Sequence, residues 1–399
     1  MDHRPFFSVI VACYNPKKYI TKLLVSIVNQ HLPNDIELIL VDDHSTEDYG
    51  MIVDGFRDLI NIVEIETTND LHTPGNTRQH GVNVATGEWI CFLDQDDEFY
   101  PDSLIVVKDT IERTGEKYYC ISDFNEVNMD GSVKRQFRAV LGWCHGKFYN
   151  LDNFWNQFGI SFKLDLKTHE DIYICSNCNA IISFLQPYNP AYAEVVTYKW
   201  KANPESLTHA KYVKEAGEHT FLEALFGDYI ESTAMVYLDH YKRKNISREY
   251  ALGSMVNVLC YCYHYMMGFM FRDPKGYVKK NIQLSWDLYH LIQVTFGVDK
   301  IDIFGILAAD DASEFNSVRN SAETGVGPHI PCMTFMQWLD FLDRATINKR
   351  HCEYTSCEGC ICNEGVDKDG NILCRYNAGF YEKDKDLDAE IFEECPDIE

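Results

Sequence analysis

Polar residues, most of them acidic, gather directly behind apolar, β-branched runs in this sequence. Phe7 to Cys13 (FSVIVAC) leads into Tyr14-Asn15, Ile36 to Val41 stops at Asp42-Asp43, and Glu88 to Leu93 is followed by Asp94-Gln95-Asp96-Asp97. Adjacent carboxylates repel one another and call for a cation between them. Hard oxygen donors of this kind suit Mg²⁺ or Mn²⁺, ions that commonly bridge to phosphates. The competing reading gives each Asp a local task, capping the helix or turn that follows it. Another acidic group, His169-Glu170-Asp171, opens a later helical pattern. A carboxylate there can take a proton from an attacking hydroxyl, while Thr168 to Asp171 also has the spacing of a capping box.

These residues need a scaffold that brings strand ends together. Ile20, Leu23, Leu24, Ile27 and Val28 repeat at helical spacing behind the first strand. Ser45, Thr46, Glu47 and Asp48 offer N-terminal chemistry for a second helix. Ile62 to Glu66 reads as a third strand, and Gly75 to Ala85 as a helix behind Pro74. The alternation of strand and helix predicts an α/β fold: an open, Rossmann-like, mostly parallel sheet with helices on both faces. In such sheets ligands bind beyond the carboxyl ends of the strands, where the acids stand. From about Lys117 to Trp200 the pattern loosens into strands and loops, and beyond His209 it turns helical and aromatic-rich.

Lys and Arg total 36 against 61 Asp and Glu, a net charge of −25 that argues against an extended nucleic-acid surface. The start, MDHRPFFSVIVACYN, lacks the basic-then-apolar pattern of a signal peptide, so the 15 cysteines are expected to be reduced or metal-bound in the cytoplasm. Ala251 to Phe271 carries no charge, but Ser254, Asn257, His264 and three tyrosines make it read as a buried helix rather than a membrane span. Basic residues flank it, Lys242, Arg243, Lys244 and Arg248 before and Arg272, Lys275, Lys279 and Lys280 after. They suit either contact with an anionic membrane surface or plain solvated helix ends. Cys357 and Cys360, with Cys352, Cys362 and Cys374, could hold a structural Zn²⁺, although their spacing matches no standard finger.

SVIVACYN, LILVDDHSTED, GNTRQHGVNVATGEWICFLDQDD and the later HED together resemble glycosyltransferase family 2, over roughly residues 6–210. The resemblance implies a GT-A domain over residues 1–210; the residue patterns beyond it mark a helical region over 211–350 and a Cys-rich segment with an acidic tail over 351–399. It implies inverting transfer of a sugar from a nucleotide-sugar, usually a UDP-sugar, to a hydroxyl of a glycan or lipid-linked saccharide. Ala12 and Tyr14 would line the base pocket, Asp43 would bond uracil, and Arg78 would face nucleotide or diphosphate. Asp94-Gln95-Asp96 resembles the DXD motif, with Asp96 the metal ligand and Asp94 near ribose or sugar. Asp171 matches the general base.

Trp143, His145 and Gly146 resemble a loop that relatives place near donor sugar and acceptor, and a simple glycine turn accounts for the same residues. His209 is either a third metal ligand or an ordinary loop histidine. His44 departs from the family, which usually has glycine there. Two further readings stay open: a non-catalytic module that binds sugar nucleotides or glycans, and a transferase acting on protein or a modified nucleic-acid base. A nucleotidyltransferase would be expected to show a glycine-rich phosphate loop where this chain has CYNPKKY.

Overall fold

Apolar residues of the first strands face alternately to opposite sides of a sheet, and each side is covered. The strands are β1 (Phe7–Cys13), β2 (Ile36–Asp42), β3 (Asn61–Glu66), β4 (Trp89–Phe92), β5 (Glu98–Phe99), β6 (Tyr119–Val127), β7 (Val133–Phe137), β8 (Lys147–Asn150) and β9 (Ala191–Lys201). The helices of this region are α1 (Ile20–Val28), α2 (Gly50–Asp54), α3 (Pro74–Val84), α4 (Ser103–Thr114) and α5 (Glu170–Phe184). On one side Phe7, Val9, Val11, Leu38 and Leu40 pack with Leu23, Leu24 and Ile27 of α1 and Leu104 and Val107 of α4. On the other, Ile10, Ile39, Val41, Ile90 and Phe92 pack with Ile174, Cys175, Cys178 and Ile181 of α5. Period-two alternation with both faces buried is what a strand between two helical layers requires.

The computed structural model describes residues 4–138, 143–203, 227–270, 274–309, 335–345, 363–366 and 372–374. The chain divides into two compact units, Met1–Glu215 and Ala216–Glu399. In the first unit the strand order is β3-β2-β1-β4-β8-β6-β9-β5, with β7 also pairing β6. Strands β3, β2, β1 and β4 run parallel. Beyond β4 the sheet is mixed: β8 is antiparallel to β4 and β6, whereas β9 runs parallel to β6. Register places Cys13 beside Asp42 and Asp42 beside Glu66, so the parallel strands end together at one edge.

Two helix starts differ from the sequence reading. The helix after β2 is only Gly50–Asp54: Asp48 accepts from Gly50 N–H at 3.0 Å, while Ser45, Thr46 and Glu47 serve the strand ends instead. Asn15 Oδ1 accepts from the backbone N–H of Thr46 (2.8 Å) and Glu47 (3.2 Å), and the Ser45 hydroxyl donates to Asp42. At α5 the residue in the N-cap position is His169, not Thr168. His169, in the left-handed region at φ 60°, precedes the helix with no side-chain cap bond, and Asp171 Oδ1 accepts from Ile172 N–H at 2.7 Å.

The second unit contains helices Val236–Lys242, Arg248–Met270, Pro274–Phe296, Lys300–Ala309 and Phe335–Ala345, and the hairpin Asn363–Val366 with Ile372–Cys374. Tyr263 packs on Phe335 and Trp338 with ring centroids 5.2 and 5.4 Å apart, and Tyr289 donates to Asp343 at 2.7 Å. Among the described residues no helix is long and apolar enough to cross a membrane. Arg243 pairs with Asp239 at 2.7 Å, and Arg248 donates to the Phe296 carbonyl at 2.5 Å. Cys374 lies in a strand opposite Asn363; Cys352, Cys357, Cys360 and Cys362 lie outside the described residues.

Glu37, on β2, is buried, and both its carboxylate oxygens are hydrogen-bonded. It accepts from Thr86 N–H (2.6 Å), Thr86 Oγ1 (2.8 Å), Gly87 N–H (2.9 Å) and the Ser8 hydroxyl, which ties the turn before β4 to the middle of the sheet. A Cβ on Gly87 would lie 2.6 Å from the Ser8 backbone nitrogen, so only glycine permits this approach. Glu37→Ala strands these donors, and an expected loss of about 3 kcal/mol should appear as a lower midpoint in urea denaturation.

Candidate active site

The residues that end or follow β1, β2 and β4 have separate tasks. Asp42 is committed to Ser45, whose backbone N–H lies 3.2 Å from Oδ1. Asp43 is buried; its own N–H donates to the Cys13 carbonyl at 2.8 Å, and its Oδ1 accepts from Thr67 Oγ1 at 2.9 Å. His44 has φ 58°, in the left-handed region where a side chain is strained, which explains why glycine is the usual choice at this position. Ala12 lies on β1 beside Val41, and the Tyr14 ring just beyond it is 56% exposed. Gln95 clamps the backbone of Tyr14, accepting from its N–H at 2.8 Å and donating to its carbonyl at 3.0 Å.

Behind β4, three acids differ in what they have left to offer. Asp97 is buried and both its oxygens are engaged, Oδ2 by the Tyr198 hydroxyl (2.7 Å) and Oδ1 by Lys201 N–H (2.7 Å). Burial and the neighbouring Asp96 and Asp94 push its pKa well up. Asp96 uses Oδ2 to accept from Asn203 Nδ2 at 2.7 Å. Asp94 accepts from Arg78 Nη2 on Oδ1 at 2.5 Å, while its Oδ2 stands 4.0 Å from His145 Nε2. Burial would raise the Asp94 carboxyl, but the Arg78 charge outweighs it and holds the pKa below its ordinary value.

Arg78 is the junction. Thr73 caps α3, accepting from Asn76 N–H at 3.3 Å, and Pro74 opens the helix. One turn on, the buried guanidinium sends Nη2 to Asp94 and Nη1 to Glu170 Oε1, each at 2.5 Å. Both terminal nitrogens thus meet carboxylates of the protein, where the family resemblance turned this residue toward nucleotide or diphosphate. The Thr73 hydroxyl also donates to the Leu164 carbonyl at 2.5 Å, fastening the approach to α5.

Glu170 is followed at once by Asp171, which is raised to about 7 by burial first and the Glu170 charge second. Its carbonyl accepts from Cys144 Sγ at 3.8 Å. Cys144 belongs to the stretch Trp143 to Gly146, so this loop and the start of α5 are in contact. The His145 ring stands among Tyr198, Phe124 and Trp200, with centroids 4.6, 5.2 and 5.6 Å away, and burial pushes its pKa down to about 4. Trp143 packs against Phe137 and Trp200 at 5.0 and 5.4 Å. Gly146 has φ 65°, and a Cβ there would lie 2.8 Å from the Ser122 carbonyl oxygen. His209 lies outside the described residues.

Asp94, Asp97 and His145 bring ligand atoms within 4.8 Å of one another, a grouping with the composition of a divalent-metal site. The hydrogen bonds already held by Asp97 weigh against its taking part. Asp96 keeps Oδ1 outside its bond to Asn203 and is the better donor on that ground. Sequence reasoning missed Tyr198, Asn203 and the pairing of Glu170 with Arg78: Tyr198 and Asn203 lie far in sequence from the acids they hold and stand in no recognisable motif, and HED does not record which cation its Glu170 meets. Arg78→Met, which leaves two carboxylates without their shared cation, should lower stability by about 3 kcal/mol in chemical denaturation.

Comparison with known proteins bears on the family and the fold. Residues 8–185 match the family model described as glycosyl transferase family 2. Over 99 residues the chain is 37% identical to the poly(ribitol-phosphate) β-N-acetylglucosaminyltransferase TarS of Staphylococcus aureus, a match covering 25% of this chain but only 17% of that relative's length. Over 134 residues it is 28% identical to the GalNAc(5)-diNAcBac-PP-undecaprenol β-1,3-glucosyltransferase of Campylobacter jejuni, covering 33% of this chain and 42% of that one. The crystal structure of S. aureus TarS residues 1–349 superposes with a TM-score of 0.59 at 17% identity, covering 94% of this chain and 98% of that one. The same fragment has been solved with UDP-GlcNAc (TM-score 0.57, 16% identity, covering 94% of this chain and 99% of that one). With its parallel strands ending in one acidic edge and α5 presenting Glu170 and Asp171 beside it, the region spanning residues 8–185 is a glycosyltransferase family 2 domain of the GT-A fold.

Proposed function

We propose that the protein is an inverting glycosyltransferase that moves a sugar from a UDP-sugar to a hydroxyl of a glycan or lipid-linked saccharide. The observation that carries this reading is the Arg78 bridge. One cation joins the strand-end acid Asp94 to Glu170, and so holds the neighbouring Asp171 next to the donor edge. The relatives named above act on a polyol-phosphate polymer and an undecaprenol-linked saccharide, which supports an acceptor of the glycan or lipid-linked class.

In this mechanism Tyr14 and Asp43 take the nucleobase, Asp96 faces the diphosphate and Asp94 faces the ribose or sugar. A divalent ion held there through Asp96 would neutralise charge developing on the departing diphosphate. Asp171 as carboxylate removes the proton of the acceptor hydroxyl. The acceptor oxygen forms its bond to the anomeric carbon as the bond to the diphosphate oxygen breaks, giving inverted configuration. A carboxyl with a pKa near 7 suits this task, since a general base works best when its pKa lies near the working pH. Glu170, paired with Arg78, serves position rather than proton transfer.

Three outcomes are expected. UDP should raise the melting temperature in the presence of Mn²⁺, and a chelator should reverse the shift; no shift with any nucleoside diphosphate would refute the donor site. Transfer should rise with pH through about 7, where Asp171 is half deprotonated, and level off only above it as the carboxylate form becomes complete. Asp171→Asn should cut kcat by about a thousandfold with UDP affinity retained, and unaltered transfer would remove Asp171 from the mechanism.

A further inference from the structure

Two histidines stand over the acid assigned to the nucleobase, and both adopt backbone conformations that side chains avoid. His44 has φ 58° and His72 has φ 47°. Strained residues of this kind gather where a site needs them. His72 Nδ1 lies 3.3 Å from Asp43 Oδ1, His44 Nδ1 lies 3.0 Å from Glu66 Oε1, and the two rings meet edge to face at 5.5 Å. His44 Nε2 is buried without a hydrogen-bond partner among the described residues.

The two side-chain contacts to Asp43 fall on the same oxygen. Thr67 Oγ1 donates to Oδ1, and His72 Nδ1 stands against Oδ1 as well. Oδ2 is left as a single acceptor. That asymmetry has a consequence for which base can pair. Uracil offers one ring N–H between two carbonyl oxygens and needs one acceptor. Guanine presents two adjacent donors and needs both carboxylate oxygens. Cytosine and adenine would turn a ring-nitrogen lone pair toward the carboxylate.

We propose that His72, braced edge-on by His44, determines nucleobase specificity by occupying Asp43 Oδ1 and leaving one acceptor for a uracil-type edge. This rests on the donor-site reading above and deepens it: His72 acts against the wrong base more than for the right one, a form of selectivity by exclusion. Its side chain is 53% exposed, so its removal leaves the core intact.

Isothermal titration of UDP and of GDP, each with Mn²⁺, into the wild-type chain and His72→Ala tests it. The wild type should prefer UDP, and in His72→Ala the UDP-to-GDP preference should fall about tenfold, chiefly through tighter GDP binding, since one regained hydrogen bond to a charged group is worth about that much. His44→Gly, which loosens the brace, should shift the preference the same way but less. An unchanged ratio in His72→Ala, an equal loss of both nucleotides, or a wild type that prefers GDP would each overturn the assignment while leaving a nucleotide site in place. A wild type that binds neither nucleotide would overturn the donor-site reading itself, and the assignment with it.

Discussion

A buried guanidinium between two carboxylates is the interaction on which the site depends. Arg78 is supplied by α3, Asp94 by the end of β4 and Glu170 by the first turn of α5. Bringing any one of these charges out of water alone would be strongly unfavourable; brought together they satisfy one another, and removing one leaves the others uncompensated. The bridge therefore does two things with one set of contacts. It welds three elements that are distant in sequence, and it keeps Asp94 ionised although burial works against it.

Around this junction the loops are tied down by side-chain to backbone bonds rather than by regular structure. Asn15 holds the loop after β2, Gln95 clamps Tyr14, and Asp97 grips Tyr198 and the backbone of Lys201. Each such bond removes a polar residue from competition for ligand. Carboxylate oxygens that the bonds described above leave open include Asp43 Oδ2, Asp96 Oδ1 and Asp94 Oδ2. A site of this kind is preorganised, because the groups that would face charge are held before any ligand arrives.

The division of labour among neighbouring acids could not be read from their order. Asp42 and Asp43 are adjacent, yet one bonds Ser45 in its own turn and the other faces Thr67 and His72. Asp96 and Asp97 are adjacent too, and only Asp97 is spent on the sheet. The reason is geometric: successive residues at a strand end point in different directions, so a one-residue step separates a structural bond from an open site. Likewise Ser45 to Asp48 reads as helix-start chemistry; Asp48 does accept from Gly50 N–H, but Ser45, Thr46 and Glu47 bond Asn15 and Asp42, and the helix is one turn long.

The sequence by itself determined the local elements and the family to which they belong. Phe7–Cys13 and Ile20–Val28 form as their hydrophobic periods require, and the strand-end acids follow from where those periods stop. Such features depend on a few neighbouring residues, and so the order of the chain carries them. The tertiary structure alone decided that the second half of the sheet is mixed, that Arg78 meets Asp94 and Glu170, and that His145 stands within an aromatic group from β6, β9 and its own loop. These are contacts between residues tens to more than a hundred positions apart. Their energy comes from burying charge and rings together, and no local spacing records which partners will meet.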